Sequence, residues 1–438
     1  MPILMFSTSI LMSAEAFGLI WFAIQEDDFF YTRTQIIELP EKQIELFSDG
    51  ILFHPYLGFS HYPHSVISPD DWVTYCGGDS DEYQNVPQEQ LTRNNHGYKS
   101  LVDYPYLNTN NEYLIGIFGG SVAHAFSIIA RDSLINNLQK HPFFKDKNIR
   151  ILNFSQPKFK QPQLLLSLIY FLALEQEFHM IINLDGFNEV ALAGRNHDFG
   201  RHIAMPSIIH LIPLLGRLGG ERIDLHDIQK LLKLRTTRQS MADAESRLKN
   251  TLSAAFYLVN NIYHSFLSWN HYRLSEELEE SLMQLDFSKL TSLSPAASHN
   301  LHAAMQNSQK LWSKNSNLMH QITKANNIQY FQFLQPNQYY SSKEFNVELS
   351  EEIYSKESPF LEKVQIGYPL LRKAGKDLNR KGIHFKDLST LFEPPSDVVY
   401  VDNCCHLSVR GNNEVANVIA TYILAHQNEK TFQIQDTD

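Results

Sequence analysis

Two rhythms of apolar residues alternate between residues 113 and 193. "YLIGIF" (113–118), "NIRILNF" (148–154) and "FHMIINL" (178–184) are short runs that are apolar on both faces, as expected of strands covered on each side. Between them, "VAHAFSIIARDSLINNL" (122–138) carries Val122, Phe126, Ile129, Leu134 and Leu138 at helical spacing, and "QLLLSLIYFLALEQ" (163–176) is an almost wholly apolar helix. Strands alternating with helices predict an α/β fold with a parallel sheet between two helical layers. The sheet pattern resumes in "IQYFQFL" (328–334) and "DVVYV" (397–401). Between these, a helix is expected to end near Gly382, followed by a short strand.

Outside this pattern the chain reads differently. Residues 26–112 are rich in Pro, Tyr, Asp and Asn, and "FHPYLGFSHYPH" and "NNHGYKS" read as turns and edge strands of an irregular wrap. About 195–325 is mostly helical, a long insertion within an α/β domain spanning 113–438. It carries one stripe at Leu248, Leu252, Ala255, Val259, Ile262 and Phe266, and a second at Leu301, Met305, Trp312, Met319 and Ile322. Both stripes are expected to be core. The first 25 residues are apolar apart from Glu15, long enough for a bilayer span, and lack the basic start of a signal peptide. A membrane anchor or signal segment is expected there, with the remainder at the cell envelope: anchored in the inner membrane facing the periplasm, or exported.

Composition narrows the function classes. The 438 residues are 43% hydrophobic and 19% charged, with a net charge of −11, so the surface is a poor match for a phosphate backbone and no nucleic-acid partner is expected. Three cysteines, Cys76, Cys404 and Cys405, show no CxxC spacing, so neither a disulfide framework nor a metal site is expected. Packing is the expected role of Cys404 and Cys405, and a solvated loop that of His197 and His202. No protein partner is indicated.

In an open parallel sheet, ligands bind beyond the carboxyl ends of the strands. The residues just past each strand are therefore the informative ones: Gly119-Gly120-Ser121, then "NFSQPKFKQPQ" from Asn153, then "DGFNEV" (185–190), then "QPNQYY" (335–340), then "DNCCHLSVRGN" (402–412). Serine, asparagine and an Asp/His pair gather at one rim, the inventory of a nucleophile, an oxyanion donor and an oriented base. Gln335 and Asn337 are candidates for lining a substrate pocket. Asp185 is read as capping its loop, and His124 as a surface residue or one supporting the site.

"FGGS", "DGFNEV" and "DNCCHLSVRGN" resemble three of the four blocks of the SGNH hydrolases, the GDSL-like esterases, over residues 113–193 and 328–425. "HPYLGF" and "NNHGYKS" resemble the lead-in of larger membrane-anchored bacterial members. The resemblance implies a flavodoxin-like three-layer α/β/α fold and a cofactor-independent serine esterase. Ser121 is then the nucleophile, His406 the base and Asp402 the residue that orients it. The oxyanion would be held by the Ser121 amide, the Asn188 side chain and a backbone amide of the second block. Where the family has a glycine, this chain has Ser155-Gln156-Pro157-Lys158, which leaves Lys158 or Ser155 to supply that amide, or Lys158 its ammonium. Asp402 lies four residues before His406 rather than three, with Asn403 in the usual place. The implied substrates are acyl esters, O-acetyl groups included, on carbohydrate or lipid. Transfer of the acyl group to a sugar hydroxyl, or a non-catalytic binding role on the same fold, are the rivals.

Overall fold

The structure is a computed structural model that describes residues 2–26, 30–31, 51–67, 91–108, 111–211, 214, 225–283, 298–340, 350, 353–396 and 398–433, with backbone alone at some helix ends, including 2–11. In chain order the elements begin with α1 (Pro2–Glu26) and a two-stranded antiparallel pair, β1 (Ile51–His54) and β2 (Gly58–His61). The α/β alternation then runs β3 (Tyr113–Gly119), α2 (Ser121–Ile129), α3 (Arg131–Leu138), β4 (Ile149–Asn153), α4 (Gln163–Ala173), β5 (Met180–Asp185) and α5 (Phe187–Asp198). Three long helices come next, α6 (Leu225–Asn250), α7 (Ala254–Met283) and α8 (Leu301–Ala325). The chain closes with β6 (Gln329–Leu334), α9 (Leu361–Arg380), β7 (His384–Asp387) and α10 (Val409–Gln433).

Five of the strands form one parallel sheet in the order β4-β3-β5-β6-β7, and helices flank it. The chain winds from β3 outward to β4 and then crosses back to β5. That makes the carboxyl ends of β3 and β5 the switch point where a doubly wound sheet opens a crevice. Leu114, Ile115, Ile117 and Phe118 of β3 and Met180, Ile181, Ile182 and Leu184 of β5 are fully buried, so both faces of the central strands are covered. Trp312 and Met319 of α8 are fully buried in the same core, with Leu301 and Ile322 packed partly against it, so the second helical stripe is core.

Several expectations change. The helix expected over 122–138 breaks at Ala130 into α2 and α3. "DVVYV" is not a strand: Val398 and Val399 lie in a turn, Tyr400 makes one isolated bridge to Leu407, and Asp397 lies outside the described residues. The edge strand on that side of the sheet is β7, the short strand expected after Gly382, which pairs with β6 alone.

The chain divides into two compact units, residues 49–214 with 287–438, and residues 1–48 with 215–286. The insertion is therefore shorter than 195–325, and the N-terminal segment belongs with it. In this second unit the stripe through Leu248 to Phe266 is not core. Leu252, Val259, Ile262 and Phe266 are 73%, 61%, 60% and 56% exposed, while Asn260, Leu267 and Leu274, seven residues apart, are buried. A seam repeating every seven residues is the geometry of helices packed nearly parallel or antiparallel, and it runs along a different face from the apolar stripe. Glu15, the single charge of the apolar N-terminal segment, caps α7. It accepts from Ser253 Oγ at 2.6 Å, from the Ala254 amide at 2.7 Å and from the Ala255 amide at 3.2 Å. A carboxylate there meets the unsatisfied N–H groups and positive end of the helix. Among the described residues no helix is long and apolar enough to cross a membrane.

Candidate active site

Ser121 stands at the first position of α2, immediately beyond β3, and is buried. The two glycines before it have separate jobs. Gly119 has φ +152°, and a Cβ on it would stand 2.1 Å from the carbonyl oxygen of Leu184, its partner on β5, so no side chain fits at this end of the β3–β5 pair. A Cβ on Gly120 would stand 2.3 Å from Asn188 Nδ2, so the second glycine lets that amide reach the serine's turn. At the first helical turn the Ser121 amide has no carbonyl four residues back to bond.

Asn188 is the second residue of α5 and is buried; its Nδ2 donates to the Phe159 carbonyl at 2.7 Å. That bond uses one of its two N–H groups and ties the third block to the second. The helix start is fixed by Glu189, which accepts from the Gly186 amide at 2.8 Å with one oxygen and from the Gln161 amide at 2.9 Å with the other. Glu189 at N3 is a capping-box residue, a signal present in "DGFNEV" and missed in favour of Asp185. Asp185 does not cap the loop. It lies buried at the end of β5, accepting from Trp312 Nε1 at 2.8 Å, Gln332 Nε2 at 2.7 Å and Asn183 Nδ2 at 2.7 Å. Burial and then the nearby Glu189 push its carboxyl well up, against the pull of those donors.

In the second block, Asn153 Oδ1 accepts from the Ser155 amide at 2.9 Å, which occupies that N–H and removes Ser155 as an oxyanion donor. Lys158 is half-buried with φ +74°, the left-handed conformation that glycine adopts without cost. A lysine thus takes the backbone shape of a glycine turn. His124 is buried, not at the surface. Asn153 Nδ2 lies 3.3 Å from its Nδ1. Burial, with Arg93 nearby, pushes His124 down to about 3, so it supports the block as a neutral ring.

The last block carries the Asp/His pair. Asp402 Oδ2 is hydrogen-bonded to His406 Nδ1, and Oδ1 accepts from the amides of Cys404, Cys405 and His406 at 3.0, 3.0 and 3.1 Å. Those three bonds curl the chain so that four-residue spacing brings carboxylate to imidazole; Asn403 is exposed. Burial pushes the Asp402 carboxyl up, but the His406 ring and the backbone donors outweigh it and hold it below the usual carboxylate range. Cys405, buried between them in sequence, lies near enough to the Ser121 hydroxyl to feel it electrostatically, which sets the serine beside the His406 loop.

Asn337 falls elsewhere than expected. Asn337 is buried and donates to the Cys404 carbonyl at 2.9 Å while accepting from the Tyr339 amide at 3.0 Å, so it supports the loop instead of lining a pocket. Gln338 Nε2 donates to the Asp402 carbonyl at 2.8 Å and Tyr339 to the Asn403 carbonyl at 2.7 Å. Three consecutive side chains therefore hold three consecutive carbonyls of the 402–404 turn. Gln335 is buried with its Nε2 unbonded among the described residues. His197 lies on α5, 3.9 Å from Asp198, and His202 Nδ1 accepts from the Ala204 amide; neither belongs to a metal-like cluster among the described residues. The one such cluster there is Cys404, Cys405 and His406. Cys76 lies outside the described residues.

No protein-family model and no curated protein matches the chain.

Proposed function

We propose that the chain is a serine ester hydrolase of the SGNH type, acting through an acyl-serine. The carrying observation is the position of Ser121, at a helix N-terminus on the sheet's switch point, near the loop in which Asp402 holds His406 Nδ1. With Nδ1–H bonded to the carboxylate, Nε2 is left with a lone pair to accept the serine proton. Ser121 Oγ then adds to the ester carbonyl, and the negative charge on its oxygen is met by the Ser121 amide, the Lys158 amide and the second Asn188 N–H. Collapse expels the alcohol, protonated by His406. Water, deprotonated by the same imidazole, releases the acid and regenerates Ser121.

The substrate class is an O-acyl ester of carbohydrate or lipid, and the setting is the bacterial envelope, reached through the N-terminal unit. Supporting the latter, Met12, Phe17, Ile20 and Ile24 of α1 and Phe256, Phe266, Trp269 and Tyr272 of α7 are exposed apolar side chains. Flotation of the full chain with liposomes tests that placement; a protein that stays at the bottom of the gradient rules it out.

A serine-directed fluorophosphonate tests the chemistry. Labelling at Ser121, located by peptide mass spectrometry, is expected in the native chain and is lost in Ser121→Ala and His406→Ala. Absence of labelling in folded protein sinks the proposal.

A further inference from the structure

We propose that Cys404, Cys405 and His406 form a site for a thiophilic d10 cation of the zinc and cadmium type, and that its occupation disables the base. The occupation is independent of the esterase reading; only its effect on activity rests on it.

The two sulfurs lie 3.3 Å apart, and one ligand atom from each of the three residues falls within 4.8 Å of the others. Sulfurs bound at about 2.3 Å to one tetrahedral ion stand about 3.8 Å apart, so the pair needs to open by only about half an ångström. With Nδ1 on Asp402, coordination is assigned to Nε2, the carboxylate–histidine–metal arrangement that raises ligand basicity and fixes the ring. The same pairing that makes His406 a base therefore makes it a good ligand. Two thiolates and an imidazole select soft cations over Mg2+ or Ca2+. Both thiols give up a proton when they bind, so a strongly thiophilic ion is the one that fits. Two S–H bonds are replaced by two S–metal bonds, and two protons leave to solvent. Cys404 is half-buried and gives the ion its approach.

Coordination takes the Nε2 lone pair that would accept the serine proton. The cation is accordingly an inhibitor.

The test titrates Cd2+ into the full chain, with Cys76→Ser as background and a non-thiol reductant present. Thiolate-to-cadmium charge-transfer absorbance reads binding, and fluorophosphonate labelling of Ser121 reads the base. One equivalent of bound Cd2+ is expected, with labelling slowed by about a hundredfold or more, the worth of a general base, and restored by chelator. Cys404→Ser is expected to weaken Cd2+ binding by about tenfold or more, each variant's labelling being referred to its own metal-free rate. No absorbance band, or equal affinity in Cys404→Ser, overturns the site. A band without loss of labelling overturns its hold on the base. A band in a chain that never labels leaves the site standing and removes the esterase reading instead.

Discussion

Asn337 and Cys404 are 67 residues apart in sequence, yet the Asn337 side chain donates to the Cys404 carbonyl at 2.9 Å, two residues before His406. Asp402 can bond three amides and the His406 ring together only if the turn carrying it is held from outside, and this contact is one of three that hold it. Asn337→Ala leaves a half-buried carbonyl unpaired, a cost of about 1–3 kcal/mol. The expected result is a kcat lower by about tenfold or more on an activated ester, with KM nearly unchanged. An equal rise in KM would instead assign Asn337 to the substrate pocket.

Gly120 separates folding from catalysis. An alanine there brings Cβ to 2.3 Å of Asn188 Nδ2, the tip of a side chain that can rotate away. Gly120→Ala is therefore expected to fold but to lose about 100- to 1000-fold in kcat, the typical worth of one oxyanion donor. Gly119→Ala meets the Leu184 backbone oxygen and has no such escape, so it is expected to fail in folding. Circular dichroism beside ester kinetics distinguishes the two; wild-type kcat in Gly120→Ala would remove Asn188 from the oxyanion role.

The central strands and the order of the blocks were legible because strands buried on both faces are written as unbroken apolar runs ending in Gly, Asn or Asp. β7 was legible only as a short strand after Gly382, without its place in the sheet: an edge strand has one partner, and "HFKD" carries little apolar signal. "DVVYV" misled for the opposite reason, an apolar run spent on packing in a turn, where Val399 and Tyr400 are buried without a sheet neighbour. The Leu248–Phe266 stripe has helical spacing but faces outward, since periodicity reports that a helix has an apolar face and not what covers it. Asn337 was expected in a pocket because a short amide after a strand serves a substrate or a neighbouring loop alike. Only the long-range contact distinguishes them.

Lys158 tests whether backbone or ammonium matters in the second block. Its φ of +74° costs a non-glycine residue roughly 1–2 kcal/mol, which a glycine recovers less the larger entropy of its unfolded chain. Lys158→Gly is expected to change stability by roughly zero to +1 kcal/mol and to keep kcat within about twofold. Lys158→Pro fixes φ near −65° and deletes the N–H, so activity is expected to collapse. If Lys158→Gly is as inactive as Lys158→Pro, the ammonium is the contributing group and the backbone assignment fails.

Lys160 supplies a pH signature of the buried frame behind the site. It is fully buried, Nζ donates to the Ile203 carbonyl, and burial pushes it down to about 7 despite the attraction of Glu189. A lysine depressed in the folded state binds a proton more weakly there than in the unfolded chain, whose lysines titrate near 10.4. Below about 7 both states carry the proton and the burial cost is fully present; from there to about 10 only the unfolded state carries it, so folding gains stability with rising pH. The nearby Asp185 and Glu189 carboxyls are pushed up, and their contribution runs the other way, being lost as pH rises through their folded values. The difference between wild type and Lys160→Met isolates the lysine. Urea unfolding across pH 6–10 is expected to show wild type weakest relative to Lys160→Met at pH 6–7 and gaining on it steadily to pH 10, with uptake of close to one extra proton on unfolding in between. A flat difference across that window would mean that Lys160 keeps its proton in the fold, and that Glu189 is its charged partner instead of a carboxyl raised by burial.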